Sequence, residues 1–107
     1  MKQRTSKIIN GRAYTDCDTN FFSDLPKDIQ QALIKWIDNN ITVKKTPNFK
    51  HSSYDLKDYA ERAIHYYITN NQFKDAMLYC GFKPVNPTAL NWSFRISEKS
   101  LVFKEVM

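Results

Sequence analysis

Two groups of side chains in this 107-residue sequence have the chemistry to grip a phosphate or read a base. Asn70, Asn71, Gln72 and Lys74 stand together in "TNNQFKD". Amides of this kind pair bidentately with adenine edges, and an ammonium pairs with phosphate. Lys44, Lys45 and Lys50 are spaced through "VKKTPNFK", and Lys83 and Arg95 follow in "FKPV" and "SFRI". Cations so placed neutralise phosphates and release condensed counterions, which supplies much of the affinity for nucleic acid.

Other reactive types do not assemble into a catalytic pattern. Glu61, Arg62 and His65 could form an acid–base group, but polar residues four apart on a solvated helix face are the ordinary reason for that spacing. Only two glycines are present, and the sequence has no phosphate-cradling loop, nucleophile elbow or HExxH. A non-enzyme without a cofactor is therefore expected. Cys17 and Cys80 form no CxxC, and His51 and His65 have no zinc-type spacing, so the expectation is two reduced thiols and no metal.

The net charge of +5 and pI near 9.3 favour an anionic partner. The positive charge is concentrated in Lys2, Arg4, Lys7 and Arg12 near the start and in Lys44, Lys45 and Lys50 before the middle. Hydrophobic residues make up 42% and aromatics 14%, enough to fold one small domain around one core. No run of eighteen apolar residues occurs, and no apolar segment follows the basic start. These features predict a cytoplasmic protein without a membrane partner.

Three helices are predicted to carry the candidate residues. "SDLPKDIQQALIKWIDNN" sets Pro26 early and Ile29, Leu33, Trp36 and Ile37 on one stripe. "ITVKK" suits a short strand, and "TPNFKHSS" a loop. The second helix is capped by Ser52 or Ser53, with Leu56, Ala60, Ala63, Ile64 and Tyr67 inward and Asp55, Lys57, Asp58, Glu61, Arg62 and His65 outward. The third starts at Thr69 or Asn70 in a capping box, buries Phe73, Ala76, Met77 and Cys80, and stops at Gly81. "FKPV" and "WSFRIS" then make a hairpin around "NPTALN". Trp36, Leu56, Phe73, Met77 and Phe94 are expected in one core. Of Tyr54, Tyr66, Tyr79, Phe82, Trp92 and Phe94, most should also be buried.

Over residues 24–100 this order resembles a winged helix-turn-helix domain, with "DLKDYAERAIHYYITNNQFKDAML" as the helix pair and "FKPVNPTALNWSFRI" as the wing. The segment also resembles small proteins of phages and mobile elements in low-GC Gram-positive bacteria. The resemblance implies an α+β fold, with residues 1–22 a partly extended basic arm and 23–107 the winged-helix domain. It implies a DNA partner, duplex or single-stranded, met by Asn70, Asn71, Gln72 and Lys74 on the third helix and by Lys83 and Arg95 in the wing. Lys44, Lys45 and Lys50 would flank that helix. Winged helices also serve as protein-docking modules, so a protein partner met by Lys57, Asp58, Glu61 and Arg62 is the alternative.

Overall fold

The computed structural model describes residues 21–104, together with the backbone of two earlier strands. These strands, β1 (Ser6–Ile9) and β2 (Arg12–Thr15), pair antiparallel. The basic side chains expected in the arm lie outside the described residues, as does Cys17. The rest is α+β: α1 (Lys27–Asn40), β3 (Val43–Ser52), α2 (Ser53–Ile64), α3 (Asn70–Tyr79) and β4 (Ser93–Ile96), with 3-10 turns at Phe22–Asp24 and Leu101–Lys104.

Each helix is bounded by local chemistry. Pro26 occupies the N-cap of α1, where its missing N–H costs nothing and its fixed φ suits entry to a helix. At the other end the Asn40 side-chain amide donates to the Trp36 carbonyl at 2.8 Å. Ser52 caps α2 through its hydroxyl, which accepts from the Asp55 N–H. Thr69 and Gln72 form the capping box of α3: the Thr69 hydroxyl accepts from the Gln72 N–H at 3.1 Å, and the Gln72 side-chain Oε1 accepts from the Thr69 N–H at 2.9 Å. Gly81 adopts φ +91°, the left-handed terminus expected there. Its N–H donates to Leu78 and the Phe82 N–H to Met77, which is the Schellman pattern, with Phe82 packed against the core. The end of α2 reaches the same left-handed conformation without glycine, because His65 stands at φ 57°.

The three helices share one core with β4. Leu33 and Ile37 of α1, Leu56 and Ala60 of α2, Phe73, Ala76 and Met77 of α3, and Trp92, Phe94 and Ile96 are all buried. Leu56, Phe73, Met77 and Phe94 therefore sit in the core as expected, while Trp36 is only partly buried at its margin. Phe22, placed by the sequence at the end of the arm, is also buried, and its N–H donates to the Asp75 carboxylate at 3.1 Å.

Four expectations are corrected. The stretch read as a loop, "TPNFKHSS", belongs largely to β3, which pairs antiparallel with β4 some forty residues away. The FKPV–WSFRIS hairpin is correspondingly reduced to one bridge, Pro84 to Phe94, beside the Val85 N–H bonded to Ser93. Pro84 has no N–H to extend the pairing. Ala63 and Tyr67 of the presumed inward stripe are exposed, and so are Tyr54, Tyr66 and Tyr79. Lys57, expected outward, is buried instead, because the Tyr54 and Tyr67 rings lie 4.7 and 5.5 Å from its ammonium.

Candidate nucleic-acid interface

The β3–β4 ladder is clamped at both ends. At one end the Ser53 N–H donates to the Trp92 carbonyl at 2.7 Å, and the Trp92 N–H returns to the Ser53 hydroxyl at 3.0 Å. At the other, the Ser97 N–H donates to Thr42 at 2.8 Å, and the Thr42 N–H to the Ser100 hydroxyl at 2.9 Å. Between these clamps the strands differ in length. Val43 pairs with Ile96 and Ser52 with Ser93, so nine residue steps of β3 face three of β4. The surplus of six steps, about 20 Å of extended chain, must leave the ladder as bulges. Both register shifts flank Asn48.

Asn48 is the pin that holds the bulged strand. Its side chain is buried, and its amide donates to the Ile96 carbonyl at 3.3 Å and to the Glu98 carboxylate at 2.8 Å. Its carbonyl oxygen accepts from the Lys50 N–H at 3.0 Å. Glu98 is also engaged by His51 Nε2 at 3.0 Å, and the His51 ring stacks on Phe103 with centroids 3.8 Å apart. The Asn48 hydrogen bond, followed by the charges of His51 and Lys50, outweighs desolvation and holds the Glu98 carboxyl below its ordinary range.

With Asn48 turned inward, the residues on either side turn out. Lys44, Lys45, Thr46, Pro47, Phe49 and Lys50 are all exposed, Phe49 by 72%. Arg95 joins them from β4: Phe94 and Ile96 face the core, so strand alternation sends Arg95 to the outer face. Its place between the Asn48–Phe94 and Val43–Ile96 pairs sets it across the ladder from the first bulge. Lys83 is exposed beside Pro84, on the opposite edge of β4. Among the described residues, the ion pairs within 4.0 Å involve His51 and Lys57, and none involves Lys44, Lys45, Lys50, Lys83 or Arg95. A hollow of about 210 Å³ lies between Lys44 and Lys50, walled by Phe49, Ile96 and the polar groups of Asn48 and Glu98.

The start of α3 is differently disposed. Asn71, Gln72 and Lys74 are buried, which removes them from the groove-contacting role that the resemblance implied. Gln72 is committed to the capping box. The Lys74 ammonium lies 4.9 Å from the Trp92 ring centroid, a cation–π contact made while the stem is packed inside. Asn70 is half-buried, and its amide donates to the Asn91 carbonyl oxygen at 3.0 Å. Of the nine residues singled out for nucleic acid, Lys44, Lys45 and Lys50 are exposed on β3 and Arg95 on β4, and Lys44 and Lys50 share the hollow with Phe49. Lys83 stands at the far edge of the ladder, and the α3 group is separate.

Phe49 escaped the sequence reading because it lies in a stretch assigned to a loop. The available signal was an aromatic residue set between Lys45 and Lys50 in "KKTPNFK".

Within the Glu61, Arg62 and His65 group, Glu61 has structural partners. Glu61 accepts from the Ile68 N–H at 3.1 Å, fixing the turn between α2 and α3, and pairs with Lys57 at 3.3 Å. Burial opposes the Lys57 charge, yet hydrogen bonds and charges from Asp58 and Glu61 prevail and raise its pKa above the ordinary lysine value. Burial, then the charge of Asp38, pushes the Cys80 thiol up to about 12. Among the described residues no group of three or more His, Cys, Asp or Glu could hold a metal ion, and no helix is long and apolar enough to cross a membrane.

Comparison with protein families, with curated proteins and with solved structures finds no match.

Proposed function

We propose that this chain is a nucleic-acid-binding protein of winged-helix type whose contact surface is the bulged β3–β4 ladder rather than α3. The observation that carries this reading is the exposed Phe49 beside Lys44 and Lys50 at one hollow, with Lys45 exposed on the same strand and Arg95 exposed on β4, none of these cations ion-paired within 4.0 Å among the described residues. Exposed cations beside an exposed aromatic suit a polyanion that also offers flat rings. Glu98, which also lines the hollow, is held by the Asn48 amide and by His51 on the side of the strand where Asn48 turns inward. The helix–turn–helix order of α2 and α3, followed by the Pro84–Phe94 bridge where the wing was expected, supports the winged-helix assignment.

Fluorescence anisotropy across a salt series tests it with duplex and single-stranded probes. Each phosphate contact contributes roughly 0.7 to 0.9 to the slope of log affinity against log salt. Replacing Lys44, Lys45, Lys50 and Arg95 together by Gln should weaken binding and flatten that slope by about three. Binding by this variant equal to that of the native chain would refute the reading, as would no binding by the native chain at low salt.

A second reading, docking on a protein, is favoured by the tyrosines around α2. Tyr54, Tyr66 and Tyr67 are exposed, and aromatic residues of this kind are enriched at protein interfaces. Lys57 drops out of the surface first expected there, being buried in its own ion pairs, whereas Arg62 remains exposed.

A further inference from the structure

We infer that the ladder binds single-stranded nucleic acid, with Phe49 as the platform on which an unpaired base stacks. This rests on the ladder being the nucleic-acid interface, and it adds the class of strand and the residue that selects it.

Phe49 is the central observation. The residue is 72% exposed although the strand carrying it is pinned by Asn48 immediately before it and by the His51–Glu98 contact soon after. An aromatic held outward on a fixed backbone beside Lys50 offers a flat face next to a phosphate-binding charge, and each base offers a matching face. In a duplex those faces are already stacked on their neighbours, so the ring gains contact only with an unpaired base.

The hollow beside Phe49 agrees with this assignment. Phe49 and Ile96 give it apolar walls, Asn48 and Glu98 polar ones, and Lys44 and Lys50 stand on its rim. A base inserted there would leave its phosphates near the rim cations. The start of α3 argues in the same direction. Groove reading of a duplex needs base-contacting side chains at the N-terminal part of a helix, and here Asn71, Gln72 and Lys74 are inside the protein.

The experiment compares native protein with Phe49→Ala on three labelled probes: oligo(dT), oligo(U) and a mixed-sequence duplex. Phe49 contributes little to the core, so Phe49→Ala should keep the native circular dichroism, and Phe49→Tyr should keep native binding. The expected result is tighter binding of a single strand than of the duplex. Phe49→Ala should lose about 5- to 150-fold on that strand and change duplex binding by less than about twofold. Loss on both oligonucleotides, or on one of them, supports the inference, and any difference between them identifies the sugar that is read. Preferred duplex binding, or equal effects of Phe49→Ala on strand and duplex, overturns the single-strand assignment while leaving the ladder as the interface. Absence of binding to all three probes at low salt overturns the interface reading itself.

Discussion

Replacing Asn48 by Ala removes the pin of the bulged strand, and the structure gives the size of the effect. The amide loses its bonds to the Ile96 carbonyl and the Glu98 carboxylate, and the Lys50 N–H loses its acceptor. A net hydrogen bond is worth about 0.5–1.5 kcal/mol, and Glu98 is exposed enough for water to replace its share. The expected destabilisation is therefore about 1–3 kcal/mol, measured by urea unfolding with an unchanged slope. The same substitution should raise the pKa of Glu98 toward the ordinary carboxylate value, since Asn48 is the largest cause of its depression. Because the folded value is depressed, the stability Glu98 supplies is present above the unfolded carboxyl pKa. It is lost as pH falls through the folded value. The stability gap between native protein and Asn48→Ala should accordingly narrow in acid. A loss below about 0.5 kcal/mol at neutral pH, together with an unmoved Glu98 titration, would refute the assignment of Asn48 as the pin.

The two left-handed helix ends should respond in opposite directions. His65→Gly should stabilise by about 0.5–1 kcal/mol, whereas Gly81→Ala should destabilise by about 1–2 kcal/mol; nothing lies within 4 Å to meet the added methyl, so that cost is backbone strain alone. Both are read from thermal melts, and equal signs would contradict the dihedral argument. Phe73→Ala should cost about 3–5 kcal/mol in urea unfolding, because its side chain is fully buried between the helices. In a Cys17→Ser background, Cys80 should react with a disulfide reagent at pH 8 on the order of 100-fold more slowly in native protein than in urea, given a thiol pKa pushed up to about 12. Comparable rates would show the thiol to be accessible and ionised.

The features legible in the sequence are those set by neighbours along the chain. Ser52, Thr69 with Gln72, and Gly81 announce their helix ends because a cap is satisfied within a few residues. Only the start of β3, Val43–Lys45 in the short strand read from "ITVKK", was legible in the same way; its continuation through Ser52 was not. Pro47 and its polar neighbours have little intrinsic strand preference, and the strand exists because Asn48 finds Ile96 and Glu98 across the ladder. Lys57 and Lys74 carry the same lesson for burial. Each is covered by a ring that folding brings to it, Tyr67 for Lys57 and Trp92 for Lys74, although the carboxylates of Asp58 and Glu61 that pair with Lys57 are its neighbours along α2. The candidate site divides along this line. The cations Lys44, Lys45, Lys50, Lys83 and Arg95 could be picked out by type, and all five are exposed. Gln72 could be recognised as a cap, but the role as cap excludes the role as reader.

The central claim is that the ladder, and not the start of α3, meets nucleic acid. Titrating isotopically labelled protein with oligo(dT) or oligo(U) and following backbone amide shifts residue by residue tests it most directly. The account predicts that the largest shifts fall on residues 44–50 and 94–96, with Phe49 and Lys50 foremost, while residues 70–74 stay near their free positions. Shifts concentrated on residues 70–74, with the ladder silent, would contradict it.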